Sequence, residues 1–254
     1  MKTIKVGLVQ MRCEKGAIDD NLASIQAYLR EGVGQGIDIM CFPEMSITGY
    51  IDPTRCPEAV LHLDGPEVAR FVKMTGELPI TALAGFVEAN PEGKPFITQI
   101  AVRAGKLLGA YRKKTIIDDE VAWFAPGSTV TVFHHPEAVF GVAICADIGS
   151  PDVFAENAKL GARIVFEAAA PGLYGSQATR DWSSGYEWWR NECQDKLGQY
   201  ARDNRIYIAV ATQAGRTSDE DFPGGGYVFA ADGTCISTTL DWSEGVLYAT
   251  LPID

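Results

Sequence analysis

Short apolar runs and helical periodicity alternate at the start of the chain. Residues 6–9 and 37–42 are apolar runs typical of buried strands, and residues 21–33 between them have apolar side chains at helical spacing. The periodic positions are Leu22, Ile25, Leu29 and Val33. This order predicts a strand–helix–strand unit, and such units build parallel sheets. Functional sites of parallel sheets usually lie in loops at the carboxyl ends of the strands.

The pattern continues with a helix, a strand and a hairpin. A proline at the first turn supports a helix over residues 66–74. Residues 80–86 form a third apolar run. Residues 96–103 and 107–113 flank a short turn that contains glycine, which is typical of a β-hairpin.

The second half of the chain repeats the alternation. Strands are predicted over residues 139–145, 163–167, 206–212 and 246–253, helices over 151–160 and 186–203, and a hairpin over 227–231 and 235–239. Helices that alternate with strands in each half indicate two sheets covered by helices on their outer faces. We therefore predict an α/β protein, a single-domain four-layer α-β-β-α sandwich over residues 1–254. The polar run 217–221 is predicted to be a surface loop.

The composition places the chain among globular proteins. Its 254 residues are 46% hydrophobic and 22% charged, which allows a sizeable core and excludes disorder and small disulfide scaffolds. The formal net charge of -11 disfavours nucleic acid and anionic membrane surfaces as partners. No run approaches the roughly 18 apolar residues of a spanning helix, and the first residues lack a signal-peptide pattern. We therefore expect a cytoplasmic protein.

Cysteine and histidine usage narrows the candidate chemistry. The 6 cysteines are dispersed without a C-x-x-C pair, so reduced thiols are expected. The 3 histidines include His134 and His135, which are predicted to lie on a surface turn. A Cys-His or Ser-His enzyme would have to use one of these three, and no ligand spacing predicts a zinc site.

Four reactive side chains lie at or just beyond predicted strand ends: Glu44, one of the lysines 113 and 114, Glu120 and Cys145. Taken singly, each has a structural explanation as a solvated charge or a buried thiol. Adjacent strand residues point to opposite faces, so only one of the two lysines can point inward. Cys145 differs from the other cysteines because a strand-to-turn position exposes its sulfur and directs backbone N–H groups toward whatever it attacks.

Together these segments resemble the nitrilase superfamily, the carbon-nitrogen hydrolases with a Glu-Lys-Cys catalytic set. The matching segments occur in family order and span essentially the whole chain. They are Phe42-Pro43-Glu44 with Thr48-Gly49-Tyr50, Tyr111-Arg112-Lys113, Glu120 with Phe124 and Pro126-Gly127, Ile144-Cys145-Ala146-Asp147, and Pro151-Asp152. Two positions depart from the family pattern. Gly149 stands where members often carry Arg, and the basic motif continues into Lys114-Thr115-Ile116 instead of His-Leu; of the two lysines we favour Lys113.

The resemblance implies covalent chemistry without a metal or an organic cofactor. A cysteine thiol is mostly protonated at pH 7, so Cys145 needs a base or a cationic neighbour. Glu44 would be that base. Lys113, assisted by the Ala146 N–H, would stabilise the thiolate and then the oxyanion, and Glu120 would orient Lys113 or the substrate.

The favoured function is hydrolysis of the C–N bond of a small amide through a thioester on Cys145, with release of ammonia or an amine. Nitrile hydrolysis and N-carbamoyl hydrolysis use the same residues and stay open. A non-catalytic binding protein on this fold is the alternative from another class. The expected partner is a small-molecule amide or nitrile.

Tyr50, Ala146, Glu167 and Ala169 are the predicted substrate-binding residues. Glu167 ends a predicted parallel strand close to where the Cys145 strand ends, and a desolvated anion there is costly unless it is paired. One interpretation is that Glu167 pairs with Lys113 or caps a backbone N–H. The other is that it faces the pocket and disfavours substrates with a carboxylate.

A dense group of large aromatic residues predicts self-association. Trp182, Tyr186, Trp188 and Trp189 lie close together in the sequence. Large aromatics are enriched in interface cores, although packing within the protomer is the commoner role. We predict a homodimer or larger assembly through residues 186–190.

Overall fold

The computed structural model describes residues 2–173 and 176–253. The first sheet contains β1 (Lys2–Gln10), β2 (Ile39–Cys41), β3 (Thr81–Glu88), β4 (Phe96–Arg103), β5 (Lys106–Arg112) and β14 (Gly245–Ile253). Their spatial order is β14-β1-β2-β3-β4-β5, in which β1, β2 and β3 are parallel. The outer strands pair antiparallel, β14 with β1 and β4 with both β3 and β5.

The second sheet repeats this plan. It contains β6 (Val132–His134), β7 (Val139–Ile144), β8 (Ile164–Ala169), β9 (Tyr207–Thr212), β12 (Tyr227–Phe229) and β13 (Cys235–Thr238). Their order is β13-β12-β9-β8-β7-β6, with β7, β8 and β9 parallel at its centre. A separate hairpin pairs β10 (Ala214–Arg216) with β11 (Asp221–Pro223).

The helices begin where the sequence supplies start signals. They are α1 (Ile18–Gly34), α2 (Pro66–Met74), α3 (Glu120–Trp123), α4 (Pro151–Lys159) and α5 (Trp182–Asn204). A proline occupies the first turn of α2 and of α4, where a missing N–H costs nothing. Asp181 caps α5 by accepting hydrogen bonds from the backbone N–H groups of Ser183 and Ser184.

Strand alternation divides the core into layers. Val6 and Leu8 on β1 pack with residues of the second sheet, such as Phe166, in one apolar cluster. Val9, on the opposite face of β1, packs with Leu22 and other side chains of α1 and α2 in another cluster. The two sheets therefore face each other between outer helices, which confirms the predicted four-layer α-β-β-α sandwich.

Local differences from the sequence prediction have physical causes. Helix α5 begins at Trp182 rather than at 186, because the cap at Asp181 lies upstream of the aromatic periodicity. His134, predicted on a turn, ends β6, a strand of three residues that is too short to show a periodic pattern.

Residues 217–220 lie between two strands, and Ser218 and Asp219 are exposed as predicted for a surface loop, but both ends of the 217–221 run are buried. Thr217 is 3% exposed and Asp221 is fully buried. Asp221 pairs with Arg216 at 3.1 Å and lies 3.8 Å from Arg180, so cations compensate its charge.

Across the described residues, no helix combines the length and apolar character needed to cross a bilayer.

Candidate active site

Glu44 follows β2 in a tightly packed turn and is fully buried. The Gln99 side chain donates a hydrogen bond to the Phe42 carbonyl at 3.0 Å, which fixes the chain just before Glu44. Gly85 on β3 lies directly against the same turn. A Cβ at Gly85 would lie 2.6 Å from the Met45 nitrogen, so the close approach of the two segments requires glycine. These contacts hold the Glu44 carboxyl at the carboxyl end of the parallel strands.

Lys113 and Lys114 diverge as strand alternation predicts. Lys113 is 1% exposed, whereas the Lys114 ammonium lies 2.9 Å from Glu156 at the surface. The backbone of Lys113 continues the sheet, because its N–H donates to Ile97 at 2.9 Å and its carbonyl accepts from Gly127 at 2.7 Å. Lys113 is therefore the lysine that points inward.

Lys113 lies between two carboxylates. Its Nζ atom is 2.8 Å from Glu44 Oε1 and 2.6 Å from Glu120 Oε1. Tyr50 also donates to Glu120 Oε1, at 2.7 Å. Glu120 is 4% exposed and begins α3, directly after a turn in which Asp118 has a positive φ of 49°. The structure thus brings together three of the predicted catalytic residues and Tyr50.

Cys145 occupies a strained bend. It follows β7 and opens a 3-10 turn that runs to Gly149. Its φ of 45° lies in the left-handed region, where a non-glycine residue costs about 1–3 kcal/mol. Its partial exposure contrasts with the full burial of Ile144 before it. The first N–H groups of a helical turn have no partner within that turn, so the bend suits oxyanion binding at Ala146.

The electrostatics of the site raise the pKa values of Glu44, Cys145 and Lys113. Burial raises the pKa of Glu44 to about 7, against the opposing charge of Lys113. Burial and then the Glu44 charge raise the pKa of Cys145 well above its ordinary value, so the resting thiol is protonated. Burial lowers the pKa of Lys113, but Glu44, Cys145 and Glu120 outweigh it and raise the pKa overall. A carboxylate with a pKa near neutrality is suited to act as both base and acid at pH 7.

Asp147 joins the bend to the other sheet, a contact that the sequence did not reveal. Its Oδ2 atom accepts hydrogen bonds from the Tyr111 hydroxyl at 2.7 Å and the Ile144 N–H at 2.9 Å. Its Oδ1 atom accepts from the Thr115 N–H at 2.8 Å. The motif placed Asp147 beside the nucleophile, but partners from β5 and its following loop have no local sequence signal.

Backbone atoms, rather than the Ala169 side chain, contact Glu44 from the second sheet. The Ala170 N–H donates to Glu44 Oε2 at 3.0 Å. Ala169 is fully buried, and its carbonyl accepts from the Gln213 N–H at 2.8 Å. Substrate contact by Ala169 or by Ala146 stays a prediction.

Glu167 is fully buried on the helical side of the second sheet. A Cβ at Gly141 would collide with Asn157 on α4, so this face of β7 points toward the helices. Ala143 shares that face by alternation, and Glu167 stands opposite Ala143 in the adjacent strand. Neither carboxyl oxygen of Glu167 makes a well-formed hydrogen bond to a described residue, although the Cys145 N–H lies close enough to offset part of the raised pKa of Glu167, and no ion pair joins Glu167 to Lys113. Its role as a substrate contact remains a prediction, and the register favours a position behind the site.

An aromatic pair borders the site on the side of the hairpin. The ring of Tyr50 lies 6.2 Å from that of Phe222 on β11. The Leu173 N–H donates to the Asp221 carbonyl at 2.8 Å, which ties the chain after β8 to the same strand. Phe222 went unnoticed in the sequence because β11 has three residues within a polar stretch.

Gly149, which stands where family members often carry Arg, has open space where a Cβ would project.

Known proteins with similar sequences include a glutamine-dependent synthetase and an amidase, and a solved amidase has a similar fold. The chain is 26% identical over its full length to the glutamine-dependent NAD(+) synthetase of Thermotoga maritima, of which it spans 43%. It is 25% identical to the N-carbamoylputrescine amidase of Oryza sativa subsp. japonica, covering 99% of this chain and 86% of that protein. An amidase from Nesterenkonia sp. has the same fold, with a TM-score of 0.84 at 20% identity over 98% of this chain and 90% of that one.

A family model gives the most direct assignment. The carbon-nitrogen hydrolase model matches residues 5–254. That range contains the second sheet, the first sheet apart from residues 2–4 of β1, and each residue of the site described above. The chain therefore belongs to the carbon-nitrogen hydrolase family of enzymes.

Proposed function

We propose that this enzyme hydrolyses the C–N bond of a small amide through a thioester on Cys145. The observation that carries the proposal is the position of Lys113 between two buried carboxylates, 2.8 Å from Glu44 and 2.6 Å from Glu120. The nucleophile candidate stands on a strained bend whose N–H groups suit an oxyanion. Base, cation and thiol are the components that acyl transfer needs.

Acylation would begin with transfer of the Cys145 proton to Glu44. The thiolate attacks the amide carbon, and the C=O electron pair moves to an oxyanion that Lys113 and the Ala146 N–H stabilise. Collapse of the tetrahedral intermediate breaks the C–N bond, and Glu44 gives its proton to the departing nitrogen. The products of this half-reaction are ammonia or an amine and a thioester.

Deacylation would use the same residues in the reverse order. Glu44, ionised again, removes a proton from water, and the hydroxide oxygen attacks the thioester carbon. The C–S bond then breaks, the thiol regains its proton from Glu44, and a carboxylic acid leaves. Glu120, held by Tyr50 at 2.7 Å, would keep the Lys113 ammonium oriented throughout.

The amide substrate would be identified by its products. Release of ammonia alone supports an amidase, whereas carbon dioxide with ammonia supports an N-carbamoyl hydrolase. Glutamine belongs in the panel because two relatives are glutamine-dependent synthetases, of which this chain spans 43% and 45%. Nitriles belong there too, since thiol attack on a nitrile carbon forms a thioimidate, which water converts to a thioester with loss of ammonia.

The deciding experiment detects the covalent intermediate. The protein is mixed with acetamide, propionamide, glutamine, an N-carbamoyl amine and a nitrile, and its intact mass is measured. We expect an acyl adduct that maps to Cys145 when the wild-type reaction is quenched with acid during turnover, and no adduct in Glu44→Gln, which lacks the base that removes the thiol proton. Cys235→Ala, which alters a half-buried cysteine on β13, is the matched control and should acylate normally. Absence of an adduct with every compound would support a binding protein instead.

We also propose a cytoplasmic homodimer, with Trp188 as its main contact. Tyr186 and Trp189 are 6% and 3% exposed and pack within their own protomer, whereas Trp188 is 41% exposed. Trp188→Ser should shift the light-scattering mass at micromolar concentration from dimer toward monomer. A monomeric wild-type protein would contradict the proposal.

A further inference from the structure

The two reactive residues are bracketed by hydrogen bonds to a single carboxylate. Tyr111 and Thr115 stand two positions before and two positions after Lys113. Ile144 directly precedes Cys145. All three donate to Asp147, the first through its hydroxyl at 2.7 Å and the others through backbone N–H groups at 2.8 Å and 2.9 Å.

This arrangement crosses between the two sheets. Tyr111 belongs to β5 of the first sheet, and Asp147 follows β7 of the second. The contact therefore sets the distance between the end of the strand that carries Lys113 and the bend that carries Cys145. Both Tyr111 and Asp147 are fully buried, so solvent does not compete for the hydrogen bond.

The carboxylate has no cation to compensate it. Among the described residues, no ion pair includes Asp147, and the three hydrogen bonds alone stabilise it. A buried carboxylate without a cation is expensive for a structural role that a neutral group could fill. Burial, followed by the charge of Asp147, raises the pKa of Glu167 well above its ordinary value, which favours the protonated form of Glu167.

We propose that Asp147 is a positioning residue, which holds the Cys145 bend at the reactive distance from Lys113 by accepting these three hydrogen bonds. The inference rests on the proposed function, because it assigns Cys145 and Lys113 their roles in acyl transfer. Asp147 itself contacts neither reactive side chain in the hydrogen-bond network of the site. It acts through the backbone of the bend and through the residues that flank Lys113.

The test removes one hydroxyl. Tyr111→Phe deletes the donor that links the two sheets and keeps the ring in the core. Tyr248→Phe is the matched control, because its hydroxyl also donates to a carboxylate, Glu31 at 2.6 Å, but on the outer face of the first sheet. For each protein we would measure kcat and KM on the best amide, the rate of Cys145 alkylation by iodoacetamide from pH 6 to 10, and the Tm.

A positioning role predicts a specific combination of results. In Tyr111→Phe, kcat should fall about 10- to 100-fold with KM nearly unchanged, because a misplacement near 1 Å is that costly. Alkylation should also slow and require higher pH, because the thiolate loses its alignment with Lys113. Asp147→Asn, which removes the charge and one acceptor, should show the larger effect on both readouts, and Tyr248→Phe should match wild type.

Other results would overturn the inference. If Tyr111→Phe lowers the Tm alone, Asp147 is merely structural. In that case both kcat, divided by the fraction of protein whose Cys145 iodoacetamide alkylates, and the pH dependence of alkylation stay at wild-type values. If Asp147→Asn fails to fold, Tyr111→Phe decides alone. If wild type hydrolyses no amide, the proposed function fails, but the alkylation profiles still decide whether Asp147 positions the thiol.

Discussion

Adjacent residues Arg112 and Lys113 form two ion-pair systems on opposite faces of one strand end. Arg112 binds Glu88 through two hydrogen bonds of 2.8 Å and 2.6 Å, and its side chain is 43% exposed. Lys113 is buried between two carboxylates. The first system balances one cation with one anion, whereas the second contains an excess negative charge.

The excess charge gives the buried cluster different electrostatics from the outer pair. In the buried cluster, Lys113 is the one cation paired with Glu44 among the described residues and is shared with Glu120, and the pKa of Glu44 is raised to about 7. In the outer pair, the hydrogen bond to Glu88 raises the pKa of Arg112. The Arg112 guanidinium therefore keeps its charge at neutral pH. Imbalance and burial together make a group that can exchange a proton at pH 7.

The largest effect is expected at the nucleophile. Cys145→Ala should abolish turnover, because it removes the proposed nucleophile, and should leave the fold intact. Turnover is measured as ammonia release, and folding by circular dichroism and Tm. More than trace activity in a pure sample would rule out the thioester mechanism.

The buried cation comes next. Lys113→Ala should lower kcat about 10²-fold or more, because it removes an oxyanion donor. Lys114→Ala is the control and should cost little, since Lys114 pairs only with Glu156 at the surface. Steady-state kinetics check both variants, and the reverse result would show that Lys114 is the catalytic lysine.

The pH dependence of activity and of stability should distinguish the buried Glu44 cluster from the Arg112–Glu88 pair. With Glu44 as base, kcat/KM should rise about tenfold per pH unit up to about 7 and then level off. The folded-state pKa lies above the ordinary value of 4.5, so folding favours the protonated carboxyl. Its contribution to stability is present below pH 4.5 and is lost as the pH rises through about 7.

Thermal unfolding across this pH range checks the sign. The Tm should decline from acidic to neutral pH, and Glu44→Gln should flatten the decline. Burial also raises the pKa of Glu167, which acts in the same direction, so Glu167→Gln separates the two carboxyls. A rate profile that is flat between pH 5 and 8 would remove Glu44 as the base.

The outer pair should give the smallest effect on activity. Arg112→Met leaves Glu88 buried with only the Thr98 hydroxyl as donor, and should lower the free energy of unfolding by about 1–3 kcal/mol. Its kcat should stay within a few-fold of wild type, as measured by urea denaturation and kinetics in parallel. A loss of kcat as large as that of Lys113→Ala would mean that the two faces are not independent.

The predictable part of the molecule is the part set by local pattern. Apolar runs located the central strands, alternation predicted that only one of the two lysines 113 and 114 points inward, and the family resemblance favoured Lys113. The start of α5 and the short strand β6 were missed because a cap and three residues leave little periodicity. Pattern therefore located the ends of the strands on which the candidate residues stand.

The unpredictable part depends on contacts between distant segments. Asp221 was assigned to a surface loop, since nothing nearby indicates that Arg180 would join Arg216 beside it. Tyr111, whose hydroxyl donates a hydrogen bond to Asp147, lies 36 positions away in the sequence and belongs to the other sheet. Such contacts form only when the sheets pack, so no local window of the sequence contains them.

The pairing of β14 with β1 has a consequence for synthesis on the ribosome. Register joins Lys2 to Ile253, so the first sheet gains its edge strand only after the whole second sheet has emerged. Until β14 has emerged, the edge of β1 that it covers has unpaired backbone N–H and C=O groups, which are open to pairing with another chain.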